Sequence, residues 1–544
     1  MSSNQKRVHS NGKSSELFAG WSISEKSLVR EEAKIKQLLL DLNQPCYVIQ
    51  NENGVGVGHE IEKISSKSHN FSLSFAPALT GEELGSQEFK QDYGLKYAYH
   101  GGAMANGISS EEMVVALGKA GFMASFGAAG LLPKRIEKAI RTIQQELPHG
   151  PYLFNLIHSP NETALERQAV DLFLKYGICH VEASAFLKMT IPLVYYRVAG
   201  LHKKNNGEIE IRNRVMGKIS RSEIATHFMS PPPQKLVQSI LEQGAITEEQ
   251  ASLAEQVSMA DDITVEADSG GHTDNQPLIS LLPSIISLRD QLQETYGYSQ
   301  QIRVGAAGGI GTPSSVLAAF AMGAAYVTTG SVNQSCVEAG TCEHTKKLLA
   351  QVGMADVMMA PASDMFEQGG QLQVVKRGTM FPMRAQKLYA FYKNYNSLED
   401  IPTIEREELE SEIFRKPLES VWEETQAYFM ERDPEHLEEM KKHPKRIMAL
   451  IFRWYLGVSS HWSNNGEKGR EIDYQIWCGP SMGAFNAWAK NSCLEEPATR
   501  KVSDVAFHLM NGAAYLSRLQ FLKIQGIHFP ASFEKYRPVP RDRL

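Results

Sequence analysis

The chain has 544 residues, a formal net charge of −6 and 42% hydrophobic residues. That length exceeds one average domain and fits a large domain with additions, while the acidic balance argues against broad nucleic-acid binding, which needs a basic face. Six cysteines without a CxxC pair give no disulfide scaffold. The N-terminus is polar with no apolar h-region, so the expectation is a cytoplasmic protein with reduced thiols and no membrane span.

Residues 1–18 are expected to form a disordered tail and 19–95 a small N-terminal subdomain, cap-like or lid-like, packed on the main body. In it Cys46–Gln50 reads as a strand, and Asn53–Gly58 (NGVGVG) as a turn entering another. No strand–loop–helix context follows those glycines, so they read as a hairpin rather than a nucleotide loop. Pro77–Asp92 reads as a loop with a short helix.

From Tyr97 the pattern becomes regular. Strand one, Tyr97–His100, runs into a glycine loop; Ser109 or Ser110 caps the helix Glu111–Ala120. Strand two is Phe122–Phe126, with a helix from Pro133. Strand three, Tyr152–Ile157, carries Asn155, and the helix Asn161–Tyr176 follows. Strand four is Ile178–Glu182. Pro192–Val198 reads as a strand or a buried helix end, 203–213 as a polar hairpin excursion, and Arg214–Ser220 as strand five. Helices Ser222–Phe228, Gln234–Glu242 and Glu248–Ala254 follow, then strand six, Asp262–Glu266, and a helix Ser284–Tyr296. Strand seven, Arg303–Ala306, and strand eight, Ala325–Thr329, flank the helix Pro313–Met322, and each ends in glycine. Eight strand–helix steps over about 250 residues give a TIM (β/α)8 barrel, of α/β class, over residues 96–369. A doubly wound sheet is the rival. Residues 370–544 read as a mostly helical C-terminal extension whose tryptophans are core, with Gly479–Gly483 a turn.

Two glycine loops on neighbouring strands let backbone amides approach an anion. In a barrel they are the phosphate site after strands seven and eight. The spacing is neither a Walker loop nor GxGxxG. His272 follows Gly270 and Gly271 just past strand six, on the rim where barrel enzymes work, and two glycines leave room for a flat ligand. An imidazole there can exchange a proton near neutral pH, with Asp268 and Asp274 flanking it. Met104 and Asn106 of the strand-one loop would face Asn155 across the mouth, where amides can satisfy the edges of a flavin ring. A flavin mononucleotide (FMN) fits these features better than a sugar phosphate. No metal site emerges, and His436 and His443 read as solvated.

The stretches MANGISS (104–110), FGAAG (126–130), FNLIHSP (154–160), VEADSGGHTDN (265–275), GAAGGIGTP (305–313) and VTTGSVNQ (327–334) resemble the FMN-dependent barrels of the nitronate monooxygenase (2-nitropropane dioxygenase-like) group. The likeness is closer to the PfaD-type enoyl reductases of polyunsaturated fatty acid and polyketide synthases, and extends over nearly the whole chain. The resemblance implies FMN, with NADPH (or NADH) as reductant. It places the phosphate on Gly308, Gly309, Gly330 and Ser331, and the ring against Ala103, Met104, Ala105, Asn106, Asn155 and Gly271. His272 takes the catalytic position. The family's Glu-Ala-Gly-Gly-His reads Asp268-Ser269-Gly270-Gly271-His272 here, and Thr273-Asp274-Asn275 replaces a following glycine, departures that bear on substrate shape. The implied substrate is a trans-2-enoyl thioester delivered by acyl carrier protein domains of a multienzyme synthase. Lys203, Lys204, Arg212 and Arg214, or Lys376 and Arg377, would form the basic docking patch. A homo-oligomer is left open. The alternatives are a nitronate-type flavin oxidase and a non-catalytic scaffold protein.

Overall fold

The computed structural model describes residues 21–543 except 25, 52–53, 64–71, 159–162, 433–437 and 439. The tail expected at 1–18, and His436, lie outside the described residues. At the centre is a closed barrel of eight parallel strands in sequential order: β1 Tyr99–Gly101, β2 Met123–Phe126, β3 Leu153–Ile157, β4 His180–Ser184, β5 Arg214–Ile219, β6 Asp262–Glu266, β7 Arg303–Ala307 and β8 Val327–Thr329. β4 pairs with β5 and β8 with β1, which closes the ring and rules out the doubly wound sheet.

Local chemistry sets the helices around it. The Ser110 hydroxyl accepts the Met113 N–H at 3.1 Å and starts the helix Glu111–Lys119. Thr312 and Ser315 form a capping box ahead of the helix Pro313–Ala321, with proline pre-set in its first turn. The ambiguous run at 192–198 is a helix, Ile191–Ala199, because Thr190 caps it and Pro192 lies in its first turn. The helix expected from Ser284 begins at Leu278 and carries Pro283 inside it; a proline near the start of a helix removes one hydrogen bond without ending it.

Side chains alternate in and out along each strand, so the interior can be read layer by layer. The lower layer is apolar: Ala98, Met123, Leu153, Met216 and Tyr326 pack with Phe89 and Tyr93. Those last two come from the helix Gln87–Tyr93 of the N-terminal region. Phe89 stacks on Tyr326 with centroids 4.3 Å apart, and a Cβ on Gly305 would run into the Tyr326 ring. The Tyr93 hydroxyl donates to Asp262 at 2.6 Å, and Arg303 binds Asp262 and Asp92, each at 2.6 Å. Asp262 and Arg303 are the first residues of β6 and β7. The helix from the N-terminal region is therefore a plug at the barrel's N-terminal end, opposite the rim that carries His272, and not a lid over that rim.

Of the N-terminal strands, Trp21–Ile23 pairs with Ile61–Lys63, and Gly54–Gly58, Cys46–Asn51 and Ser72–Ala76 form a three-stranded antiparallel sheet. It is held from the far end of the chain. Arg518, 1% exposed, donates to the carbonyls of Leu39, Asp41, Leu42, Gln44 and Pro77 at 2.7–3.4 Å. Its helix, Val502–Ile524, packs along Pro313–Ala321, close enough that a Cβ on Gly512 would meet the Pro313 ring. Arg518→Met leaves those carbonyls without their donor in a buried place. The expected cost is roughly 3 kcal/mol, read as a lower midpoint in chemical unfolding.

The C-terminal region is mostly helical, with its own core around Phe381, Leu388, Phe414, Phe452 and Tyr455. The boundary expected at 369/370 falls inside a hairpin: Val357–Pro361 pairs with Gln371–Val375, and the second of these pairs with the two-residue strand Gly271–His272. The region is thus continuous with the loop after β6.

Candidate functional site

The tips of β7 and β8 form a backbone cradle. Gly308 (φ 79°) and Gly309 (φ 72°) both have positive φ, a backbone that glycine adopts without strain. Packing makes Gly308 obligatory, since a Cβ there would lie 2.6 Å from the Ala267 carbonyl carbon. Gly309 and Gly330 differ: a Cβ on either meets nothing within 4 Å. Their N–H groups find no acceptor among the described residues. Ser331 beside them uses its hydroxyl to accept the Gly479 N–H at 3.0 Å. An open cradle of unengaged N–H groups is the donor set a phosphate monoester needs, so the residues present fit FMN's phosphate.

At the tip of β6, His272 lies half-exposed. Its Nε2 is 2.9 Å from Asp364 Oδ1, a residue of the loop joining Val357–Pro361 to Gln371–Val375. Asp268 and Asp274 do not orient it. Asp268 accepts from Gln373 Nε2 at 2.7 Å, and Asp274 binds Ser220 at 2.6 Å and Arg221 at 2.7 Å. Desolvation by the surrounding loops favours the neutral ring; the hydrogen bond and charge of Asp364, with Glu266 behind, outweigh it and raise the imidazole above its ordinary value.

The C-terminal region walls this rim. Gln373 also donates to the Ser269 carbonyl at 2.7 Å. A Cβ on Gly270 would meet the Cys478 backbone, and one on Gly311 would meet the Ser481 carbonyl. The indole of Trp477 lies beside Gly271. Gly479–Gly483, read as a turn, therefore packs against the loops after β6, β7 and β8 and opens the helix Ser481–Ala489.

Beneath the mouth the barrel interior turns polar. His100 Nε2 lies 2.8 Å from Ser125 Oγ and its Nδ1 3.3 Å from Thr328 Oγ1; burial lowers its pKa to about 4, so the ring is neutral. Glu182, fully buried on β4, accepts the Ala103 N–H from the strand-one loop at 2.9 Å and reaches 3.7 Å from His100. Lys218 on β5 stands between Glu182 at 3.6 Å and Glu266 on β6 at 3.3 Å. Burial works against the charged Glu182, but the Lys218 ammonium and the Ala103 N–H outweigh it and hold its carboxyl below the usual range.

The structure gives the remaining expected residues these neighbours. Asn155 gives its amide to the Glu182 carbonyl and to Ser184 Oγ, each at 3.0 Å. Met104 is half-buried, its N–H bound by Ser109 Oγ at 3.0 Å. The Ala105 carbonyl accepts the Ile108 N–H. Asn106, at φ 58°, contacts Ser460 Oγ at 3.4 Å and abuts Gly130 rather than facing Asn155. Lys203, Lys204 and Arg212 belong to a hairpin that enters the start of β5, at the barrel's N-terminal end, and Arg214 there is tied to Asp92 at 3.1 Å. That end is far from the rim, so these four do not form a docking patch at the mouth. Arg377 pairs with Asp356 at 3.4 Å.

The polar interior had a signal in the sequence, namely Glu182, Lys218 and Glu266 at inward positions of otherwise apolar strands. Asp364, Gln373 and Trp477 had none. Among the described residues no cluster of three or more His, Cys, Asp or Glu could hold a metal, and no helix is long and apolar enough to cross a membrane.

Residues 94–378, more than half of the chain, match the family model of nitronate monooxygenase. The chain belongs to the nitronate monooxygenase family. Residues 21–78 match the N-terminal domain of the fatty acid synthase subunit PfaD, and 395–474 the inserted helical domain of [acyl-carrier-protein] S-malonyltransferase. The solved enoyl reductase domain of MlnA, from the macrolactin biosynthesis cluster of Bacillus amyloliquefaciens, is 40% identical with a TM-score of 0.78; the match covers 82% of this chain and 100% of that one. A polyunsaturated fatty acid synthase subunit of Thraustochytrium sp. is 44% identical over 90% of this chain and 33% of its own length. Polyketide biosynthesis protein PksE of Bacillus subtilis is 46% identical over 80% of this chain and 57% of its own. The chain thus spans a third to just over half of these curated relatives.

Proposed function

We propose that this protein is an enoyl reductase acting on a trans-2-enoyl thioester carried by an acyl carrier protein, with FMN as its resident cofactor and NADPH as reductant. The observation that carries the reading is the open backbone cradle at β7 and β8 beside the His272–Asp364 pair at β6, in a chain of which 82% aligns with an enoyl reductase domain. Gly308, Gly309, Gly330 and Ser331 would hold the phosphate. Ala103, Met104, Ala105, Asn106, Asn155 and Gly271 would bound the ring. When bound, FMN would supply hydride transfer from NADPH to the β-carbon of the substrate.

His272 then has a defined task. With its pKa raised, the imidazole keeps its proton to higher pH than an ordinary histidine and can deliver it to the α-carbon as the β-carbon gains hydride. Asp364 stabilises the protonated ring and fixes its orientation. The carrier partner follows from relatives that are synthase subunits, and the docking surface is expected on the rim side.

Two experiments follow. Steady-state NADPH oxidation is expected with a carrier-bound trans-2-enoyl thioester and absent with the saturated thioester; equal rates with both overturn the reading. The second concerns pH. Activity that needs protonated His272 is present below its pKa and lost as pH rises through it. Because Asp364 raises that pKa, Asp364→Asn moves the alkaline limb of kcat/KM to lower pH and cuts turnover less than loss of His272 does. An unmoved limb removes Asp364 from the site.

A further inference from the structure

The barrel mouth is walled on one side. The C-terminal region packs on the loops after β6, β7 and β8, and Ser460 reaches the loop after β1. Among the described residues, no hydrogen bond or ion pair joins residues 370–544 to the loops that follow β2, β3, β4 and β5. The loops after β4 and β5 are tied to barrel residues instead: Thr190 donates to Glu166, and Ser220 and Arg221 donate to Asp274. That arc of the rim is open. It displays Leu132 after β2, 48% exposed, Leu187 after β4, 58% exposed, and Ile279 in the first turn of the helix after β6, 74% exposed. One exposed aliphatic side chain is ordinary on any surface; three on one rim beside the site, with lysines among them, have the composition of a docking face.

The charges of this arc favour an acidic partner. Lys134 and Lys138 stand one turn apart on the outer face of the helix Pro133–Glu146, and Lys188 adjoins Leu187. All three are exposed and form no ion pair among the described residues. The acids near them are engaged: Glu137 by Arg141 at 3.0 Å, Glu166 by His158 at 3.0 Å and Asp274 by Arg221 at 2.7 Å. Glu223 lies exposed beside Arg221 at the far end of the arc. The hairpin at the barrel's other end differs, because Lys204 there is paired with Glu208 and Arg212 with Glu210. We propose that the acyl carrier protein docks on this open arc, its acidic face on Lys134, Lys138 and Lys188 and an apolar centre against Leu187. The lysines steer the encounter and the aliphatic side chains hold it, with the thioester arm entering over the unwalled side toward His272. This assignment rests on the enoyl reductase reading above.

The test compares steady-state kinetics of the full-length, FMN-loaded protein on one trans-2-enoyl group carried either by the carrier protein or by N-acetylcysteamine, a small thiol. K134E/K138E/K188E is expected to raise KM for the carrier-bound substrate roughly tenfold or more at low salt, by less as salt screens the charges. L187S is expected to raise the same KM at low and high salt alike. Both variants should leave kcat/KM for the small thioester unchanged. K203E/K204E, at the opposite end of the barrel, is the matched control and should change neither substrate. An unchanged carrier-bound KM in the triple variant or in L187S overturns the surface and leaves the enoyl reductase reading intact. An equal loss with both thioesters, or an equal effect from K203E/K204E, overturns it too. Wild-type protein inert toward both thioesters overturns the surface and the reading together.

Discussion

His272→Ala is expected to keep its flavin and lose turnover by roughly 10²- to 10⁴-fold, the range general acid catalysis contributes. The imidazole is half-exposed, belongs to a two-residue strand whose pairing is backbone only, and packs into no core cluster. Truncating it should change stability by no more than ~0.5 kcal/mol. A loss of activity with unchanged unfolding and unchanged flavin content then belongs to chemistry. The matched check is His272→Gln, which keeps a polar side chain but cannot carry the proton, and should be equally slow. Full activity in either variant removes the proton-donor role.

Gly309→Asp is expected to weaken flavin affinity by at least 100-fold, a free-energy change of about 2.7 kcal/mol. Two effects act together. The residue has φ 72°, where a side chain costs roughly 1–2 kcal/mol. The carboxylate would also enter the open space that lies beside Gly309 and repel a phosphate in the cradle. Asparagine separates the two effects, since it tolerates left-handed backbone and carries no charge. Gly309→Asn should therefore hold more FMN than Gly309→Asp. Flavin content measured by heat release and absorbance reads the series; equal and normal content in both variants would contradict the phosphate assignment.

What the sequence could disclose follows the reach of each interaction. Apolar runs mark the strands, with glycine after β1, β2, β6, β7 and β8, so every barrel strand lies within a turn's length of its expected bounds, and the helix Gln234–Glu242 has the bounds expected of it. Those signals are local. The run at 191–199 has too few residues to show a period, and only Thr190 and Pro192 point to a helix. Nothing in the sequence shows that the hairpin Val357–Pro361 with Gln371–Val375 takes Gly271–His272 as a third strand, because a two-residue strand has no pattern of its own. Asp364 lies 92 residues from His272, and Trp477 is further still. No spacing rule links such positions, and the carboxylates near in sequence, Asp268 and Asp274, are engaged elsewhere. The charge of the basic residues at 203–214 is visible in the sequence, while the end of the barrel they occupy is not. Glu182, Lys218 and Glu266 fall between these cases. Their inward register can be counted on the strands, but that they meet requires the closed barrel.

The central claim is that the flavin's electrons go to an enoyl thioester. The direct measurement is the oxidative half-reaction. The full-length protein loaded with FMN is bleached anaerobically with one equivalent of NADPH, then mixed with a carrier-bound trans-2-enoyl thioester, its saturated counterpart, or a nitronate. The enoyl thioester alone is expected to restore the oxidised flavin spectrum and to yield the saturated product. Reoxidation by the nitronate without response to the enoyl thioester would contradict the claim, and so would a flavin that NADPH does not bleach.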